Sequence, residues 1–176
     1  MPALSLVIGG ARSGKSRIAE QLVTATERPR LYIATAQAFD DEMRDRISRH
    51  QIDRGPDWTT VEAPLNIAEA FAKCKPEFTV LLDCATLWLT NVLLDGQNLA
   101  ESCHQMVDTL CSSPAPVVVV SNEVGWGIVP DNALSRQFRD AQGRLNQMIA
   151  ARAGLVVGVM AGLPIILKGS VPEGVL

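Results

Sequence analysis

The sequence predicts an α/β protein, a three-layer α/β/α fold around a mostly parallel sheet, and three observations carry that prediction. Short apolar runs at residues 4–8, 30–34, 79–83 and 117–120 alternate with helix-like stretches, the pattern that generates βαβ units. Residues 117–120 are four consecutive valines, as expected of a strand covered on both faces. Two loops rich in glycine and polar residues, GGARSGKS at 9–16 and SNEVGWGIVP at 121–130, follow apolar runs, and ligands of open α/β sheets bind at the carboxyl ends of strands.

The chain is organised around the first of those loops. Gly9, Gly10, Ala11, Arg12, Ser13, Gly14, Lys15 and Ser16 lie between the apolar run of Leu4, Leu6, Val7 and Ile8 and a helix that begins near Lys15. The spacing Gly9-x-x-x-x-Gly14-Lys15-Ser16 is that of a phosphate-binding P-loop. Its glycines permit torsions that let successive N–H groups turn toward an anion. The helix start adds unpaired donors and the positive end of a dipole. Lys15 then reaches the β- and γ-phosphates, and the Ser16 hydroxyl is a ligand for Mg²⁺. The fold class is accordingly P-loop NTPase-like.

In chain order, Ile18, Ala19, Leu22 and Val23 share one face of the helix that follows the loop, which therefore packs on the sheet. Residues 30–34 (RLYIA) form the next strand. Residues 40–54 are densely charged, with Met43 and Ile47 on a narrow stripe. They predict a surface helix that starts at Asp40 and Asp41 and is stopped by Gly55-Pro56. A short extended piece at 57–62 precedes a helix at 64–73, with Pro64 in its first turn. Residues 79–83 (TVLLD) are a strand ending in a carboxylate. This is the form in which Asp83, on a strand neighbouring the P-loop strand, faces the Mg²⁺ held by Ser16. An ordinary polar cap at the strand–helix junction is the other reading. The helix from Cys84 is apolar on several faces and is expected to be buried. A more exposed helix spans 98–111, the valine strand follows, and Asp131 and Asn132 cap a long helix to about Ala153. Strands at 155–160 and 165–167 close the sheet. Residues 1–169 are one domain, and 170–176 a loose C-terminal tail.

Composition narrows the function. A chain of 176 residues with net charge −3 has no basic run to bind nucleic acid or anionic lipid, so a small-molecule partner is expected. Cys74, Cys84, Cys103 and Cys111 are widely spaced and suit free thiols in a reducing compartment. No stretch has the length of a membrane span, and no basic, apolar leader opens the chain. The expected location is the cytoplasm.

These features permit a small-molecule kinase, a nucleotidyltransferase, an ATPase or a slowly hydrolysing regulatory module. The guanine-reading Asn/Thr-Lys-x-Asp motif of switch GTPases is absent from the sequence. His50, one of two histidines, reads first as a solvated residue of a charged helix. A neutral imidazole beside a nucleotide is also a nucleophile that can hold a transferred phosphoryl group. His104 is read as a surface residue. Arg136 and Asp140 are spaced for an i, i+4 ion pair, with substrate contact as the alternative. Asn122 and Glu123 divide evenly between substrate binding and loop structure.

GGARSGKS, YIATA at 32–36, DDEM and RISRH ending at His50, WTTVE, LLDCATLWLTN, SNEVGWGIVP, RQFRDAQGRLNQ and GLPIILK together resemble the bifunctional adenosylcobinamide kinase/adenosylcobinamide-phosphate guanylyltransferase family of cobalamin synthesis. The resemblance runs from Gly9 to Lys168. It implies phosphorylation of the aminopropanol hydroxyl of adenosylcobinamide by ATP or GTP. Transfer of GMP from GTP to the resulting phosphate then releases pyrophosphate, through a GMP-histidine intermediate at His50. It also implies that Gly9 to Ser16, Ala34, Thr35, Ala36, Gln51, Ile52, Asp53, Arg54, Glu62 and Asp83 form the nucleotide site with Mg²⁺, in a homo-oligomer, with a trimer suspected. A simple P-loop kinase without a covalent intermediate is the alternative.

Overall fold

The computed structural model describes residues 1–37, 57–171 and 174–175. The predicted surface helix at 40–54, with His50, Gln51, Ile52, Asp53 and Arg54, lies outside the described residues. The elements are β1 (Leu4–Gly9), α1 (Lys15–Thr24), β2 (Arg30–Ala34), β3 (Trp58–Glu62), α2 (Ile67–Phe71), β4 (Thr79–Asp83), α3 (Ala85–Leu94), α4 (Leu99–Cys111), β5 (Val117–Asn122), α5 (Ala133–Arg152), β6 (Leu155–Met160) and β7 (Leu163–Lys168). One sheet carries all seven strands in the order β3-β2-β4-β5-β1-β6-β7. Every pairing is parallel except the terminal β6–β7 hairpin, so the predicted three-layer fold holds.

Alternation along each strand sends successive side chains to opposite faces. Val80 and Leu82 of β4, Val117 and Val119 of β5, and Leu4 and Leu6 of β1 pack with α2, α3, α4 and α5. Leu81, Val118, Val120 and Val7 face the other way and meet Ile18, Ala19, Leu22 and Val23 of α1. The valine run is buried along its whole length, as its double coverage requires. α3 is deeply buried, and its Trp88 indole N–H donates to the Leu65 carbonyl at 2.9 Å. Val171 and Val175, at the chain's end, pack against the α1 face.

Three predicted features differ. The helix expected at 64–73 is a single turn, Ile67–Phe71, because Asn66 caps it by accepting from the Glu69 N–H. The last strand begins at Leu163, since Ala161 (φ 52°) and Gly162 (φ 80°) make a two-residue turn with both residues left-handed, the geometry that tight hairpins favour. β4 does not adjoin β1: β5 stands between them, so the strand that ends in Asp83 is next but one to the P-loop strand.

Candidate active site

The site is built at the carboxyl ends of the parallel strands. Register places Gly9 level with Asn122, Ala34 level with both Asp83 and Glu62, and Asp83 level with Val120. The predicted P-loop, Ala34, Thr35, Ala36, Glu62 and Asp83 are therefore brought to one rim of the sheet, together with Asn122 and Glu123.

The loop itself has the form of an anion cradle. The Ser13 N–H donates to the Gly10 carbonyl at 3.3 Å, closing a turn. Gly14, at φ 94°, is the left-handed N-cap of α1, and among the described residues no side chain caps this helix or places a carboxylate in its first turn. Asn66, Cys84, Asn98 and Asn132 each supply a side-chain acceptor to the starts of α2 to α5. The positive end of the α1 dipole thus faces the loop without a carboxylate in its first turn. Lys15 Nζ donates to the Gly10 carbonyl at 3.2 Å, folding back over the loop. Among the described residues, the buried hydroxyl of Ser13 and side-chain oxygen of Asn122 find no hydrogen-bond partner, as is also true of the Ser5 hydroxyl and Gln142 Oε1. Of these, Ser13 lies in the cradle and Asn122 beside it.

Sequence reasoning missed what supports the loop from outside. The Gly162 N–H of the β6–β7 turn donates to the Ser13 carbonyl at 2.9 Å, and Arg17 donates to the Gly162 carbonyl at 3.1 Å. A Cβ on Gly14 would stand 3.2 Å from Gly162 Cα. The hairpin turn therefore presses on the loop, and the readable signal was Ala161-Gly162 between two apolar runs. On the other side, the Glu123 N–H donates to the Gly9 carbonyl at 3.0 Å, and Glu123 Oε1 accepts from the Gly125 N–H at 2.5 Å.

Thr35 is fully buried. Its hydroxyl donates to the Cys84 carbonyl at 2.7 Å and accepts from the Cys84 N–H at 2.8 Å. Its influence on the site thus passes through the Asp83–Cys84 backbone that it clasps. Asn91 ties the same corner by donating to the Thr35 and Pro64 carbonyls at 2.9 and 2.8 Å. Burial and the neighbouring Asp83 push the Cys84 thiol up to about 12, partly offset by the backbone N–H groups of Leu87 and Thr86 and by Lys15, so Cys84 is a neutral group beside the acidic strand end. Asp83 and Ser16 are half-buried and Glu62 is exposed.

Behind the rim lies a second group that the sequence did not reveal. Ser121 donates to Asn146 Oδ1 at 2.6 Å, and Gln142 donates to Ser121 at 2.9 Å and Asn146 at 3.0 Å. Asn146 donates to the Asn122 carbonyl at 3.1 Å, while the Asn122 N–H donates to Thr86 at 2.8 Å. This network fixes the end of β5 between α3 and α5. The expected Arg136–Asp140 pair does not form. Arg136 donates instead to the Pro130 and Asp131 carbonyls at 2.9 and 2.7 Å, anchoring the loop before α5, and Asp140 pairs with Arg139 at 3.1 Å. His104 is exposed on α4, its Nδ1 2.7 Å from the Ala100 carbonyl. Among the described residues no helix is long and apolar enough to cross a membrane.

Sheet order, P-loop and acidic strand end together define a nucleotide-binding protein of the P-loop NTPase class. Residues 5–167 match the cobinamide kinase / cobinamide phosphate guanyltransferase family, and the chain belongs to it. It is 45% identical over 167 residues to the bifunctional adenosylcobalamin biosynthesis protein CobP of Pseudomonas aeruginosa, covering 93% of this chain and 96% of that one. It is 42% identical over 179 residues to the CobU protein of the same description from Escherichia coli, covering 93% and 98%. Solved structures share the fold at low identity. They include a Pyrococcus horikoshii protein (TM-score 0.56, 10% identity, covering 97% of this chain and 88% of that one). Another is the P4 protein of bacteriophage phi6 bound to ADP (TM-score 0.51, 14% identity, covering 93% and 54%).

Proposed function

We propose that this chain phosphorylates adenosylcobinamide with ATP or GTP and then transfers GMP from GTP to the product, giving adenosylcobinamide-GDP and pyrophosphate in cobalamin synthesis. The observation that carries the reading is the uncapped start of α1 beneath residues 9–16, an anion cradle in a chain of this family. The loop amides and Lys15 neutralise charge on the phosphates of the nucleotide. In the kinase step the acceptor hydroxyl oxygen bonds to the γ-phosphorus as the bridge to the β-phosphate breaks. In the second step an imidazole nitrogen of His50 attacks the α-phosphorus and pyrophosphate leaves. The acceptor's phosphate oxygen then attacks the same phosphorus and frees the imidazole.

Ala34, Thr35, Ala36, Gln51 to Arg54, Glu62 and Asp83 complete the nucleotide site in this reading. The orphaned oxygens of Ser13 and Asn122 fit a site that gains polar partners when nucleotide arrives. Ser16 and Asp83 are the residues to hold Mg²⁺, which when bound neutralises phosphate charge. The enzyme works in the cytoplasm as a homo-oligomer, with three subunits implied by the family resemblance. Ile128 (97% exposed), Val129 and Leu163 supply apolar surface for that contact.

The test is label transfer with purified protein and Mg²⁺. GTP labelled at the α-phosphorus should leave acid-labile, alkali-stable label on wild-type protein and none on His50→Ala, and γ-label should pass to cobinamide. Folded, GTP-binding protein that takes no α-label would refute the histidine route. Failure of γ-label to reach cobinamide would refute the kinase.

A further inference from the structure

A cleft of about 680 Å³ opens on the outer flank of the phosphate cradle. Its inner wall is the P-loop itself, residues 9–13, with Glu123 at the junction. Its outer walls are apolar: Trp126 on one side, and Val159, Met160, Ile165 and Leu167 of the β6–β7 hairpin on the other. Trp126 is 81% exposed and Met160, Ile165 and Leu167 are at least half exposed. An aromatic and three long aliphatic side chains are thus left in water around a concavity, the profile of a ligand site rather than of scattered surface hydrophobes.

The floor of the cleft is Gly158, in the middle of β6. Glycine inside a strand weakens it and often marks close approach of a ligand. Here a Cβ would meet the movable end of Leu167 at 3.3 Å and the Ile165 carbonyl oxygen at an ordinary 3.7 Å. Packing does not demand glycine at this position. Its missing side chain gives the cleft depth.

We propose that this cleft seats the apolar edge of the corrin macrocycle of the acceptor, with the hydroxyl-bearing arm directed along Glu123 toward the phosphate cradle. The inference rests on the kinase and guanylyltransferase reading above and adds where the acceptor binds. The cleft shares the P-loop as a wall, so its occupant lies alongside the transferred group. A corrin is a broad ring with methyl groups and amide arms at its edge, which matches an apolar trough whose described polar side chains, Arg12, Ser13 and Glu123, belong to its P-loop end. A second copy of the chain is the competing occupant, and the test separates the two.

Cobinamide, followed by its visible absorbance, is dialysed to equilibrium against full-length wild-type protein, Gly158→Val, Ile165→Asp and Ile166→Asp, with GTP binding and gel-filtration volume measured on each. Ile166 alternates to the face of β7 opposite Ile165 and serves as the control. The expected result is a loss of cobinamide affinity of about tenfold or more, some 1.4 kcal/mol per decade, in Gly158→Val and Ile165→Asp. Wild-type GTP binding and elution should persist in both, with no loss of cobinamide affinity in Ile166→Asp. Unchanged cobinamide affinity in both cleft variants overturns the assignment while leaving the catalytic reading intact. An elution shift in Ile165→Asp assigns the cleft to a second copy and also overturns it. Wild-type protein that binds GTP but no cobinamide refutes the acceptor reading, and the cleft assignment with it.

Discussion

Gly9→Ala tests the cradle most directly, because its cost follows from the packing around the loop. The new Cβ would stand 2.5 Å from Ser13 Oγ and 2.5 Å from the Val159 carbonyl oxygen. Real Cβ atoms essentially never approach so closely. The serine oxygen escapes by rotation. The Val159 carbonyl cannot, since β6 is laddered to β1 through Gly9 itself. Either the ladder parts at its carboxyl end or the loop is pushed off its seat. Overpacking of this kind costs about 1–3 kcal/mol, and displaced loop amides should weaken nucleotide binding about tenfold, the equivalent of 1.4 kcal/mol. Gly10→Ala is the matched control: a Cβ there meets nothing within 4 Å. Urea melts of the two variants and of wild type, with GTP titration of each, are the assay. Gly9→Ala with wild-type stability and affinity, or Gly10→Ala as unstable as Gly9→Ala, would refute the steric argument.

Thr35→Val removes the hydroxyl that both donates to and accepts from Cys84. It should destabilise by about 2–3 kcal/mol in thermal melts and lower kcat more than nucleotide affinity, because the Asp83 strand end loosens. Asn146→Leu strips partners from Ser121, Gln142 and the Asn122 carbonyl together, and urea denaturation should register a loss of about 3 kcal/mol or more. Thiol titration of native protein at pH 8 should give one fast cysteine, Cys111, which is exposed, and three slow ones, Cys74, Cys84 and Cys103, which are buried. Burial raises the Cys103 thiol from 9.0 to about 11. Below pH 9 both folded and unfolded chains keep that proton. Between 9 and 11 the unfolded chain loses it first, so stability falls with rising pH. In Cys103→Ala the decline measured over that window should be shallower.

The phosphate loop could be read from sequence because its requirements are local: two glycines, a lysine and a hydroxyl at fixed spacing before a helix. The double-sided burial of Val117 to Val120 was legible for a similar reason, since no polar residue interrupts it. Strand order was not legible. Nothing in LVIGG or TVLLD says that β5 will insert between them, because a parallel sheet is assembled by crossovers whose destination no short pattern encodes. The Ser121–Gln142–Asn146 network was equally hidden, as Gln142 and Asn146 look like ordinary polar positions of an exposed helix until its inward face is known. Arg136 and Asp140 misled for the opposite reason: helical spacing offers a pair, but two loop carbonyls and an adjacent Arg139 compete for the same groups.

The position of β1 has a consequence for the order in which the chain is made. The first strand lies between β5 and β6, both more than a hundred residues further along, and its loop is braced by a turn at Ala161–Gly162. During synthesis, therefore, residues 4–16 leave the ribosome more than a hundred residues ahead of either strand that pairs with β1. Contacts so distant in sequence are slow to close. The loop is completed only after residues 155–162 have been made, so a chain cut short before the hairpin carries the entire P-loop motif without the scaffold that gives it shape.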